Sequence, residues 1–573
     1  MEQRRVLLAF LLMALVLVAS QWWYGRMEPP ADPGSQDTTE VVEEAAEPAV
    51  PIGVGEAPPP GPAPVDSALV EPALPVDATA TGADSAAARP DPNANELLAG
   101  GGTPSRVTVE TPLYRMTLDP RGAVVRQVEL LRYESYQGEG PVRLVPDGAA
   151  FLDRAVETGD RRLAIDSLTF QPGDSAIVLA AGDAPREVIF AHESGGRRIA
   201  QSYRFDPDSY VVDYRLDLGV PDDGVLVTGL GPRLRTNEKN PQEDFGQLRA
   251  VARLDGEIVS FDAGDVDEER IARGGAVDWA GLKSKYFLAA LLAPPEGALS
   301  AVEVGGAPED SLPRLDVAVR SPVRAGSSAY RVYLGPQEYR RLSSLNDGLD
   351  GVNQYGWSWI RWMITPFAKA IVVAMLWLHR FIPDYGLVLI VFGVLVRLVM
   401  WPLTTKSFRS IQAMQKIQPE IQRLRERYKS DPQRMQQETM RLYREKKVNP
   451  LGGCLPNLIP MPILFALFFV FQGTIEFRGQ PFLWLPDLSQ PDPWYILPIL
   501  MGVTMFISSK LTQTDPKMAA MTYVMPVVLT FVFLNLAAGL VLYYTVSNVL
   551  TFVQQWMLRR GGEAPAVTQP AEG

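Results

Sequence analysis

The residues from Asp384 to Pro402 read DYGLVLIVFGVLVRLVMWP. A run this long and this apolar crosses the roughly 30 Å hydrocarbon core of a bilayer as a helix. It commits the chain to a membrane and carries one charge, Arg397. Two readings stand for that charge. Arg397 lies four residues before Trp401, roughly 6 Å at 1.5 Å per residue, so its long stem can snorkel to the headgroups. Alternatively it faces protein or a water-filled cavity, where an intramembrane charge marks function.

The other apolar runs set a topology. Val6–Val18 follows Arg4 and Arg5 and precedes Trp22, Trp23 and Tyr24. It reads as an N-terminal transmembrane anchor within residues 1–26. A cleaved signal peptide is the alternative, since Val18-Ala19-Ser20 is a passable cleavage site. Residues 27–104 are rich in Pro, Ala, Asp and Glu, with Arg89 their one basic residue beyond the anchor. Such a segment buries too little apolar surface to offset its chain entropy and reads as a disordered acidic linker. Residues 105–350 change texture. Arg106–Pro120 and Gly122–Tyr133 alternate apolar and polar at period two, with a turn at Asp119-Pro120-Arg121-Gly122. Ser175–Leu179, Glu187–Phe190, Tyr210–Leu218, Leu315–Val319 and Ala329–Leu334 continue the pattern. This predicts a large exported antiparallel β-sandwich.

Charge orients the chain. Leu403 to Pro450 holds twelve Lys/Arg against five Asp/Glu, a local +7 in a chain of net −12. Basic loops stay cytoplasmic, so an even number of crossings separates this segment from the N-terminus. The anchor and 384–402 supply two. Residues 357–382, with four tryptophans, are then an amphipathic helix in the interface rather than a third crossing. The segment 403–450 is a helical hairpin broken at Lys429-Ser430-Asp431-Pro432, where Asp431 caps and Pro432 opens the second helix. Its charge suits a plain cytoplasmic loop and equally a docking site for an anionic partner. Four spans follow, near Leu455–Phe471, Trp494–Ser509, Met518–Leu534 and Leu540–Met557. The fold expected is a polytopic α-helical membrane protein of six spans with a large exported β-sandwich. A five-helix core occupies 383–558, residues 559–573 form a short cytoplasmic tail, and both termini are cytoplasmic.

Composition removes function classes. One cysteine, Cys454, and two histidines, His192 and His379, leave little for a metal or disulfide framework. No Gly-rich Lys-Ser/Thr phosphate loop is present in the sequence. Neither a cofactor, a metal nor a small-molecule substrate is expected, and the chain does not read as an enzyme. A channel or transporter would carry several intramembrane charges or two related halves, and neither is evident. In the last span Tyr544, Asn548, Thr551 and Gln555 fall on one helical face. That stripe is either interhelical glue or one wall of a wet cavity shared with Arg397. Met461, Phe465, Phe468, Met505 and Met525 are core and lipid-facing residues, or an adaptable apolar surface for varied partners.

Several ordered motifs carry a resemblance. They are Asn449-Pro450-Leu451-Gly452-Gly453-Cys454-Leu455-Pro456 with Met461-Pro462-Ile463, the run Asp492 to Met505, the run Gly539 to Asn548, and Arg397 followed by Pro402-Leu403-Thr404. Together they resemble the YidC/Oxa/Alb membrane protein insertases in their Gram-negative form, strongly over 383–557 and more weakly over 105–345. The resemblance implies an insertase and chaperone of the bacterial inner membrane, acting alone or with the Sec translocon, with a galactose-mutarotase-like sandwich in the periplasm. It implies a hydrophilic groove holding Arg397, with Tyr544 at the substrate-contacting span and Tyr543 beside it on an apolar slide. Implied partners are nascent membrane proteins, the Sec translocon, membrane lipids and the ribosome. Ribosome contact would be weak and made through the hairpin, because the tail lacks the basic run of many relatives. Gly393 stands where some relatives are polar, which makes the groove less polar there.

Overall fold

Strands Tyr114–Asp119 and Val211–Asp217 bury every second side chain, as strands do when one face meets a core and the other meets water. The computed structural model describes residues 105–262, 271–295, 297, 299–308, 313–357, 359–446, 461–512 and 519–560. The expected anchor, the acidic linker, the Asn449–Pro456 motif with Cys454, and the tail beyond Arg560 lie outside these residues.

The β domain consists of two sheets. The smaller has five strands, with Pro141–Arg143, Val124–Glu134, Tyr114–Asp119, Val107–Glu110 and Ala176–Val178 as successive neighbours. Its last pair is parallel and the others are antiparallel. The larger has fourteen strands and is antiparallel throughout. One continuous apolar core lies within this antiparallel sandwich, with Trp279 fully buried in it. At the predicted turn, Asp119 Oδ1 accepts from the Arg121 N–H at 3.0 Å. Gly122 adopts φ +76°, and a Cβ there would meet the Asp166 backbone at 2.7 Å, so both the space and the left-handed backbone require glycine. The strand Phe287–Leu292 shows no alternation because all six residues are buried.

Seven helices of eight residues or more follow among the described residues. They are α1 (Arg361–His379), α2 (Tyr385–Arg427), α3 (Pro432–Glu445), α4 (Met461–Gly473), α5 (Ile496–Thr512), α6 (Ala519–Phe533) and α7 (Ala538–Arg560). The expected span and the first hairpin helix are one element. Helix α2 runs 43 residues through Pro402 and Pro419, about 65 Å at 1.5 Å per residue. Asp384 caps its start by accepting from the Leu387 N–H at 2.9 Å. It ends at Arg427, and Asp431 caps α3 through the Arg434 N–H at 3.0 Å. Ile417, Ile421 and Leu442 join the two helices in a small apolar cluster.

By length and composition, two described helices suffice to cross a membrane, α1 and α2, not the six expected. Helices α4, α5 and α6 have 13, 17 and 15 residues. Each has one end at a boundary of the described residues, at 460 for α4 and at 513–518 for α5 and α6. Helix α7 packs on α2 and α5, α6 packs on α5, and α4 packs on α1.

Candidate functional site

Arg397 lies on α2, three turns after its capped start, and its guanidinium points at α7. Nη2 donates to Gln554 Oε1 at 2.5 Å. Gln554 is fully buried. Its amide nitrogen donates to Thr404 Oγ1 and Thr405 Oγ1, each at 3.0 Å, and to the Trp401 carbonyl at 3.3 Å. Thr404 Oγ1 also approaches Gln554 Oε1, at 3.2 Å. One glutamine thus bridges Arg397 and the Thr404-Thr405 step about two turns further along α2. Arg397 Nε is buried with no hydrogen-bond partner. The arrangement is a cation held by a neutral amide, with donor capacity left over. An incoming carboxylate or carbonyl would complete it with a charge-assisted bond.

The polar stripe expected to meet Arg397 is rotated away from it. Successive residues on a helix stand about 100° apart, so Gln554 and Gln555 cannot share a direction. Tyr544 packs edge-on against Phe533 of α6, centroids 4.9 Å apart. Thr551 Oγ1 donates to its own helix at the Ser547 carbonyl, 2.7 Å. Gln555 is buried, with Oε1 lacking a partner, and Asn548 is half-buried. The face of α7 turned to α2 carries Tyr543 and Gln554. The Tyr543 ring lies 3.5 Å from where a Cβ on Gly393 would stand, and 6.2 Å from the Phe392 ring. Sequence reasoning missed Gln554. The available signal was the Gln554-Gln555 pair in an apolar helix facing a Thr-Thr step, and periodicity could not choose between the two.

The residues expected to form an apolar slide are dispersed. Phe468 and Tyr543 are buried. Phe465 packs against Trp357, centroids 6.1 Å apart. Met461, Met505 and Met525 are half-buried on α4, α5 and α6. The exposed apolar surface is made instead by residues such as Val399 of α2, Ile499 and Val503 of α5, and Phe531 of α6. Apolar side chains exposed over several helices require lipid or an apolar partner.

A second polar centre lies where the β domain meets the segment between α4 and α5. Arg478 Nε donates to Glu238 Oε1 at 2.8 Å, and these side chains are 3% and 4% exposed. The guanidinium also sits 4.4 Å from the Tyr136 ring centre, and Tyr136 donates its hydroxyl to Asp487 at 2.5 Å. Nearby, the Tyr339 N–H donates to Glu476 Oε1 at 3.1 Å while Glu476 Oε2 is buried without a partner. Burial pushes Glu476 up to about 7, and Glu238 likewise to about 7 in spite of Arg478. For a carboxyl raised in the fold, the stabilisation is complete below its ordinary value near 4.5. It is lost as pH rises through about 7. The domain junction is therefore expected to loosen as pH rises from about 4.5 to about 7, and to change little above that. Heat-denaturation midpoints and protease cleavage within 474–490 would read this. Glu476→Gln should shrink the difference but not remove it, because Glu238 titrates in the same sense. An unchanged pH dependence in that variant would refute the assignment.

Comparison with known proteins follows the two halves of the chain. A family model described as "60Kd inner membrane protein" matches residues 377–564, and one described as "YidC periplasmic domain" matches residues 106–370. The membrane protein insertase YidC of Syntrophus aciditrophicus is 31% identical over 97% of this chain and 99% of its own length. That of Oleidesulfovibrio alaskensis is 35% identical over 79% of this chain and 86% of its own.

Proposed function

The chain belongs to the YidC family of membrane protein insertases, and from that premise we propose that it inserts nascent inner-membrane proteins at a site built around Arg397. The observation that carries this reading is the Arg397–Gln554 contact at 2.5 Å, with Arg397 Nε buried and free to donate. A client's short polar or acidic exported segment docks at this cation. Its apolar segment runs along the exposed faces of α2, α5 and α6. The cation lowers the cost of bringing an acid part-way into the bilayer. The membrane potential adds about 2.3 kcal/mol per charge per 100 mV, in a direction set by the sign of the client's charge.

The arrangement in the membrane is part of the proposal. Six crossings place both termini in the cytoplasm, with the hairpin α2–α3 as a weak contact for the ribosome and the Sec translocon as a further partner. Helix α1 lies in the outer interface. Two contacts with the β domain and one with the connection that follows it support this. Thr365 Oγ1 donates to the Tyr355 carbonyl at 3.4 Å, Lys369 pairs with Asp350 at 2.8 Å, and Arg340 donates to the Leu376 carbonyl at 2.6 Å. Positions 365 to 376 cover about 17 Å of helix at 1.5 Å per residue. A spanning helix would leave the exported domain within its first turn.

The test is expression of the full chain in bacterial cells depleted of their own insertase, with protease protection of a small Sec-independent client as readout. Restored insertion is the expected result. Failure at normal abundance of the protein would refute the reading for that client class.

A further inference from the structure

A cavity of about 450 Å³ opens where the β domain, the 352–357 connection, α1 and the end of α4 meet. It is distinct from the Arg397 site and carries an excess of positive charge. Four cations line it, Arg249, Lys283, Lys285 and Arg361. Two of them are compensated, Arg249 by Asp262 and Lys285 by Glu243. The other two have no carboxylate partner among the described residues. Lys283 Nζ donates only to the neutral Asn353 Oδ1, at 3.1 Å. Arg361 Nε is buried with no hydrogen-bond partner. Burying charge without a counter-charge is costly. Burial, with Arg249 nearby, pushes Lys283 down to about 7. A bound anion would reverse that cost.

The cavity's surroundings point to where such an anion comes from. Trp357 lines the cavity, stacks on Trp359 with centroids 6.4 Å apart, and meets Phe469 edge-on at 5.5 Å. Trp359 and Trp362 are 72% and 78% exposed. Tryptophans on the outside of a membrane protein gather at headgroup level, which is where phosphodiesters of lipids lie.

We propose that Lys283 and Arg361 form a binding site for a phosphate group in this cavity, as presented by an anionic lipid headgroup of the outer leaflet. Asn353 orients the ammonium, and the guanidinium of Arg361 supplies the second set of donors. The anion chemistry stands on the cavity alone. The lipid source rests on the proposed placement of α1 in the interface.

The purified full-length chain in nonionic detergent tests it, with binding followed by calorimetry. The ligands are dihexanoyl phosphatidylglycerol and dihexanoyl phosphatidylcholine below their micellar concentrations, and inorganic phosphate. Saturable binding of the phosphatidylglycerol is expected, weakened about tenfold by Lys283→Met and separately by Arg361→Gln, each removing one charge-assisted contact. Much weaker binding of inorganic phosphate assigns the site to lipid. Equal binding of phosphate assigns it to the free ion. Equal binding of both lipids, unchanged in either variant, would overturn the proposal. So would no saturable anion binding by the parent. Arg361→Gln keeps the test open if Lys283→Met fails to fold. Insertion activity is not the readout, so failure here is separable from failure of the insertase reading.

Discussion

Arg397→Ala is expected to cut insertion of a Sec-independent client at least tenfold in depleted cells, while Arg397→Lys retains most of it. The magnitude follows from one hydrogen bond to a charged group, about 1.5–3 kcal/mol, or roughly ten- to a hundredfold. Lysine keeps the charge but not the planar fork. It should therefore hold an acidic client segment better than a neutral polar one. The contact with Gln554 sharpens the test. Gln554→Leu leaves the charge and removes the amide that aims it and bridges Thr404 and Thr405. Its defect should be smaller than that of Arg397→Ala and should be absent when Arg397 is already Ala. Protease protection with matched protein levels measures all four forms. If Arg397→Ala inserts as well as the parent, the residue is an anchor at the helix end, and the apolar faces must do the work alone.

Arg478→Met should be the most damaging single change outside the membrane. It leaves Glu238 in a site that is 4% exposed, without its cation. Removing one partner of a buried pair costs about 3–5 kcal/mol. The cost should fall on docking of the β domain against the 474–490 segment rather than on either fold alone. It should also be larger at pH 8 than at pH 6. Burial already raises Glu238 to about 7, and without Arg478 the carboxyl takes up a proton still more readily and relieves the strain at lower pH. Adding Glu238→Leu should recover most of the loss, since an apolar pair in place of a buried ion pair is often neutral or better. Protease cleavage of the junction and the heat-denaturation midpoint report both variants. A single variant as stable as the parent would mean that the pair contributes nothing.

The parts legible in the sequence are those written in short-range chemistry. Period-two alternation marks Tyr114–Asp119 and Val211–Asp217 because one face of each strand meets water. It fails for Phe287–Leu292, buried on both sides. Asp431 is readable as a cap because its partner, the Arg434 N–H, is three residues away. Pro402 reads as the end of a span, yet α2 passes through it. One missing N–H is a small loss in a helix of 43 residues held on other sides.

The family, the sandwich, the presence of Arg397 in an apolar helix and the cap at Asp431 are all readable along the chain. Each is encoded in residues close along the chain or in motifs with set order. Helix packing in three dimensions selected the residue that answers Arg397. Gln554 is 157 positions away, and its neighbour Gln555 fits the same helical pattern within one residue. Tertiary contact likewise set the Arg478–Glu238 pair across 240 positions, and the gathering of Lys283 with Arg361 around one cavity. Periodicity states which residues share a face, but the rotation of that face about the helix axis is set by packing against a neighbour. A rotation of 100° is enough to exchange one glutamine for the other.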